Sequence, residues 1–178
     1  MTQLINKTNQ FNLRAVKYTE PEVDRLMRDE RALALQFRLK DKFGDNGIIA
    51  VIFARPDERW PADTLFIDTW LMSCRVLGRG VEAASLEALG QYAADLGVSR
   101  LIGEYRATGR NKMVADHYEK LGFQSLSDDA NSDTSLSFWC TNLPLVNTPK
   151  HRIEVEIAND QGKDLRGAHE RISRRLSG

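Results

Sequence analysis

Between Ala32 and Leu39 the chain alternates: Leu33, Leu35, Phe37 and Leu39 fall on one side, Ala34, Gln36 and Arg38 on the other. A period of two marks a half-buried strand. The run Gly44-Asp45-Asn46-Gly47 predicts a turn, and Ile48–Phe53 predicts the partner strand. Leu65 to Met72 is apolar on both alternating faces, as a central strand covered on both sides should be. The pattern then changes period. Leu86, Leu89, Ala93 and Leu96 form a helical stripe within Glu82–Leu96, with Gly97 as a stop signal. Arg100–Tyr105 is a further predicted strand. Asn111–Leu121 is a second predicted helix, with Val114, His117, Tyr118 and Leu121 on one face and Gly122 at its end. Phe123–Leu126 and Leu136–Cys140 close the series as strands, separated by the polar loop Ser127–Ser135. Upstream, Phe11–Tyr18 is predicted as a first strand, and Glu20-Pro21-Glu22 as the start of a short helix with acids at its positive end. Arg55–Asp63, with Pro56 and Pro61, is a loop. The fold class is mixed α+β.

Length and composition narrow this picture. A chain of 178 residues predicts one domain over residues 1–143, followed by a charged tail over 144–178. In the tail, His151–Ile157 could form an edge strand and Asp164–Leu176 a helix; the tail either packs on the domain or serves as an interaction arm. Lysine plus arginine and aspartate plus glutamate stand at 25 each, so no net field favours nucleic acid or an anionic membrane. Two cysteines, Cys74 and Cys140, make neither a disulfide framework nor a metal motif, and point to the reducing cytoplasm. No apolar run is long enough for a membrane span, and the first residues lack a signal-peptide core.

The candidate chemistry centres on Cys74-Arg75-Val76-Leu77-Gly78-Arg79-Gly80-Val81, placed between the predicted central strand and the helix after it. Glycines let backbone N–H groups approach a ligand closely, and the helix dipole adds positive potential. With Arg75 and Arg79 nearby, this predicts an anion cradle for a phosphate or diphosphate. No Lys-Ser or Lys-Thr follows the glycines, which argues against a P-loop, and the absent third glycine argues against a dinucleotide fold.

Taken with its flanks, the Arg75-Val76-Leu77-Gly78-Arg79-Gly80 run resembles the GCN5-related N-acetyltransferase superfamily. So does the later pair of Asn111 and His117-Tyr118-Glu119-Lys120-Leu121-Gly122-Phe123. A narrower resemblance, to the C-terminal part of FkbH-like proteins, lies in three stretches. They are Leu4-Ile5-Asn6-Lys7-Thr8-Asn9-Gln10-Phe11-Asn12-Leu13, Phe37 to Gly47, and Trp70 to Arg79. The superfamily implies a mixed, mostly antiparallel sheet flanked by helices, with the central strand parting from its neighbour at a bulge. It also implies acetyl-CoA, another acyl-CoA, or a carrier-protein phosphopantetheine as cosubstrate, without a metal. By carry-over, Met72, Cys74 and Val76 would pair with the pantetheine arm, and N–H groups from Leu77 to Val81 would hold the diphosphate. Asn111 would bind the coenzyme or cap its helix. Tyr118 would be the general acid for the leaving thiolate. Asp68 and Glu104 are candidates for the base that deprotonates an acceptor amine, Asp68 because a mid-strand carboxylate must find a partner or shift its pKa. Cys74 could also accept the acyl group covalently. The FkbH-like resemblance adds an acyl-carrier protein and a haloacid-dehalogenase-type phosphatase as partners in polyketide pathways. It leaves open a non-catalytic module that docks a pantetheine arm for that phosphatase.

Overall fold

The computed structural model describes residues 11–126 and 135–155, except positions 17, 20, 23, 24, 26, 27 and 29. β1 (Leu33–Asp41) and β2 (Gly44–Arg55) form an antiparallel hairpin, and β3 (Thr64–Met72) pairs antiparallel with β2. After a 3-10 turn over Cys74–Val76, helix α1 (Val81–Asp95) leads to β4 (Arg100–Arg106), which lies parallel to β3. A second 3-10 turn (Lys112–Val114) and the short helix α2 (His117–Lys120) precede β5 (Gln124–Leu126) and β6 (Leu136–Asn142). Among the described residues the sheet order is β1-β2-β3-β4-β6-β5, with β3–β4 as the single parallel pair. This is the α+β class that the pattern predicts, with the mixed, mostly antiparallel sheet that the resemblance implies.

One irregularity shapes the middle of the sheet. In the β2–β3 register Phe53 faces Thr69 and Ala54 faces Ile67, so Asp68 is an extra residue, a bulge. Leu65 and Ile67 before it, and Trp70 and Met72 after it, all enter the same core cluster. With every residue present and no bulge, strict alternation would turn Trp70 and Met72 to the other face. That core lies under α1, whose Val81, Ala83, Leu86, Leu89 and Ala93 join it, and it continues into Tyr105, Val114, Tyr118 and Phe123. Phe66, Asp68, Ile102 and Glu104 alternate with core residues and belong to the opposite face.

Several predicted elements differ from the observed ones. The hairpin turns at Lys42-Phe43 and not at Gly44–Gly47, because the Asp41 carboxylate accepts the Phe43 amide (2.9 Å) and pairing resumes at Asp41↔Gly44. Phe11–Tyr18 is not a strand: its described residues make one bridge, Asn12 to Leu71. The Asn12 side chain accepts the Ala15 amide and donates to the Val16 carbonyl, and Ala15 has a φ of 55°, so the chain turns away at once. Asn111–Leu121 is not one helix, since Asn111 spends its side chain elsewhere and only His117–Lys120 is α-helical. Pro21, Glu22 and Arg25 are helical, and the Glu22 carboxylate reaches back to accept both the Thr19 amide and hydroxyl. Residues 151–155 carry no strand. The His151 ring instead accepts the Ile153 amide and meets Glu87, a local alternative to a ladder. Positions 156–157, the predicted helix at 164–176 and most of the 127–135 loop lie outside the described residues. Up to Ile153 the chain after β6 packs on the domain, with Leu143 and Leu145 against Gly90 and His151 against Gly80.

Two core positions generate expectations. A Cβ on Gly103 would lie 2.2 Å from Cζ of Tyr118, a fully buried ring with no room to retreat. Gly103→Ala is expected to destabilise the protein by about 1–3 kcal/mol. Gly109→Ala, where nothing lies within 4 Å, should stay within about 0.5 kcal/mol of wild type in the same denaturant titration. His117 is edge-on to Phe11, Trp70 and Tyr118, and burial pushes its imidazole down to about 3. The unfolded chain binds that proton near pH 6.5. Stability from the neutral ring is therefore complete above pH 6.5 and lost as pH falls toward 3, by at most about 1.4 kcal/mol per unit. Urea unfolding between pH 6.5 and 5 should show this slope in wild type and a flatter one in His117→Phe.

Candidate functional site

The glycine turn forms as predicted, in part. Gly78 and Gly80 both have positive φ (73° and 84°), and Gly80 is the N-cap of α1. The first amides of a helix have no partner inside it, and among the described residues no side chain caps Gly80. Space opens over Gly78, where an added Cβ would meet nothing within 4 Å. Three features differ from the expected cradle. Gly78 N–H already donates to the carboxylate of Glu82 (2.7 Å). Arg79 turns away to Asp41 of β1 (2.9 Å), and Arg75 donates to the Ser73 hydroxyl (3.2 Å). Met72, Val76 and Val81 are buried, Leu77 packs against the same core, and Cys74 and Val76 lie in a 3-10 turn. Met72, Val76 and Val81 can therefore face a ligand only through their backbones. Cys74 is exposed on that turn and has no strand partner in it. Cys140 is half-buried on β6, and burial raises its thiol pKa.

Above the turn, β3 and β4 separate. Their parallel pairing runs only from Thr64↔Arg100 to Ile67↔Gly103, although β3 continues to Met72 and β4 to Arg106. The parting begins at the Asp68 bulge. The gap is filled by the chain itself. Asn12 bridges Leu71 on one side, and the Leu13 carbonyl accepts the Arg106 amide (2.8 Å) on the other. Phe11 and Leu13 are each 1% exposed and belong to the core. Asn111 secures this arrangement. Its Nδ2 donates to the carbonyls of Asn12 and Arg106 (both 2.9 Å), and its Oδ1 accepts from the Thr108 amide (2.8 Å) and hydroxyl (2.9 Å). With both ends of the amide engaged, Asn111 neither caps its helix nor presents a group to a coenzyme.

On the opposite face, Asp68 and Glu104 form an acidic centre enclosed by arginines. Both carboxylates are nearly fully buried. Asp68 accepts from Arg14 (2.9 Å), Arg55 (3.1 Å), Thr69 (3.3 Å) and the Tyr18 hydroxyl. Tyr18 is pushed up to about 12 by burial and by its bond to Asp68. Glu104 is held more loosely, with Arg14 at 3.3 Å, Arg106 at 3.8 Å and Arg59 at 4.0 Å. The guanidinium groups of Arg14, Arg55 and Arg59 stack over Phe66 at 4.8, 5.8 and 4.8 Å. Asp57 binds Arg59 and Arg55 and is held below the usual carboxylate range by Arg59.

Tyr118 is fully buried, with its ring against the backbone of Gly103, the last β4 residue before the gap. Burial raises its hydroxyl pKa far above the ordinary value; Arg14 opposes that shift and Glu104 adds to it. Tyr118 thus stays protonated at physiological pH. The structure brings Asp68, Glu104 and Tyr118 to the two faces of one gap and leaves Cys74 on an exposed turn. Arg14, Tyr18, Arg55 and Arg59 have no sequence signature. The available signal was a carboxylate in mid-strand, which demanded a cation without saying that it would come from 54 positions upstream.

Among the described residues no helix is long and apolar enough to cross a membrane. No family model matches the chain, and no curated protein matches it. Solved structures do. The ribosomal-protein-S18-alanine N-acetyltransferase of Escherichia coli superposes with a TM-score of 0.52 at 18% identity, over 86% of this chain and 90% of that one. The GNAT domain of S. lividans PAT gives 0.53 at 17% identity, over 71% and 70%. N-acetylglutamate synthase from Neisseria gonorrhoeae, complexed with coenzyme A and N-acetyl-glutamate, gives 0.51 at 14% identity, over 72% of this chain and 28% of that one. The chain has the fold of the GCN5-related N-acetyltransferases.

Proposed function

We propose that this protein is an acyltransferase of the GCN5-related type, moving an acyl group from a coenzyme A or carrier-protein thioester to an amine or similar acceptor. The observation that carries it is the parting of β3 and β4 at the Asp68 bulge, next to a Gly-x-Gly turn that opens α1. A diphosphate would meet the first amides of α1, since those of Leu77, Gly78 and Arg79 already donate to Cys74 O, Glu82 and Val76 O. The gap fits a pantetheine arm only once Phe11–Leu13 leave it, since the chain's backbone now pairs there. When bound, the cosubstrate supplies an activated acyl group as a thioester.

The protein's own groups then divide the work. Glu104, the less tightly held acid, takes the acceptor's proton directly or through water. Asp68 positions Arg55 and Tyr18. Tyr118, kept protonated by burial, donates to the departing sulfur. Resemblance to FkbH-like proteins supports a carrier-protein thioester in polyketide metabolism and a haloacid-dehalogenase-type phosphatase as partner. The free cysteines fit the cytoplasm. The occupied gap favours one second reading, a non-catalytic module that docks a pantetheine arm.

The test is incubation with several acyl-coenzyme A species and a loaded carrier protein, in the presence of amine acceptors, followed by intact mass. Turnover is expected, and Tyr118→Phe and Glu104→Gln should each lower kcat by roughly 10²–10⁴-fold. Tyr118→Phe should leave the melting temperature near wild type, because the ring still packs on Gly103. Binding without turnover on any acceptor would favour the docking module; neither binding nor turnover would end both.

A further inference from the structure

We propose that Phe11–Arg14 is an intramolecular occupant of the cosubstrate gap, latched by Arg14, which must withdraw before a pantetheine arm can enter. The inference rests on the acyltransferase function proposed above. Three sets of observations carry it. First, the segment pairs with both separated strands, through Asn12–Leu71 and through Leu13 O with Arg106 N–H, so it takes the backbone positions an extended ligand would need. Second, its anchor is the acidic centre: Arg14 reaches the Asp68 carboxylate and carbonyl (both 2.9 Å) and Glu104 (3.3 Å). While latched, the segment neutralises the acid assigned to the acceptor's proton. Third, the fit around the segment is imperfect. Trp70 Nε1 and His117 Nε2, on rings 4.5 Å apart, are buried without a hydrogen-bond partner among the described residues, and the His117 ring lies edge-on to Phe11. Buried polar atoms are ordinarily paired, so these two mark a lining that its present apolar occupant does not satisfy. A pantetheine arm carries amide groups that could.

The exit is also built in. Immediately after Arg14 the chain turns at Ala15, whose left-handed backbone is uncommon for a residue with a Cβ. The segment is thus bounded by a sharp corner and not continued into a sheet.

The test is amide hydrogen exchange on the full chain with and without coenzyme A, for wild type, Arg14→Ala and Phe11→Ala. Phe11→Ala leaves the acidic centre intact and serves if Arg14→Ala does not fold. In free wild type, amides of residues 11–14 should exchange slowly, and saturating coenzyme A should speed them at least tenfold while β1 amides stay unchanged. Apparent affinity scales with the open fraction, so each variant should bind coenzyme A about tenfold more tightly. Saturation of wild type with residues 11–14 still protected would overturn the latch, as would equal affinities, and either result would leave the acyltransferase function standing. Failure of coenzyme A to bind all three proteins would remove the cosubstrate assignment and the latch with it.

Discussion

Asp68 is the point at which three distant parts of the chain meet. Its carboxylate gathers Arg14 from the N-terminal segment, Arg55 from the end of β2 and Tyr18 from the approach to the first helical turn. A buried carboxylate without partners would cost several kcal/mol, and removing one partner of a buried ion pair costs about 3–5 kcal/mol. The position of the N-terminal segment is therefore a consequence of the charge at Asp68 as much as of the apolar burial of Phe11 and Leu13. The same residue is the bulge at which β3 leaves β4. One residue opens the gap, and its own ion pair holds the segment that fills it.

The layout of the sheet was readable because its strands and helix obey simple periods. β1 alternates, β3 is apolar on both faces, and α1 carries a clear stripe. The glycine turn was readable because only Gly-x-Gly gives two left-handed residues at so small a steric cost. What escaped the sequence was set by contacts across long separations. Phe11–Tyr18 has the apolar spacing of a strand, yet its partners are Leu71, Arg106 and Asn111, and its own Asn12 breaks the extension. Asn111 looks like a helix cap by position. Its amide is drawn instead to two carbonyls that only the folded arrangement brings together. Arg75 and Arg79 look like phosphate ligands, but Ser73 and Asp41 hold them elsewhere.

The candidate site differs in character from one built only to receive a ligand. Several features expected to meet a cosubstrate already meet the protein: Glu82 at the turn, the N-terminal backbone in the gap, Arg14 at both acids. An incoming ligand would replace existing interactions and not simply gain new ones, so its net affinity is a difference between two sets of contacts.

The bulge has a further consequence for how this strand tolerates change. Along β3 the side chains keep a parity, and Asp68 resets it once, so that Leu65, Ile67, Trp70 and Met72 share one face. Losing Asp68 would restore plain alternation and still leave Leu65, Ile67, Trp70 and Met72 on one face, because Asp68 is the residue that interrupts the count. The loss would fall on the other face: the carboxylate that binds Arg14, Arg55 and Tyr18 would go, and with it the irregularity at which β3 leaves β4. The extra residue therefore serves the polar side of the strand and not the packing of the core.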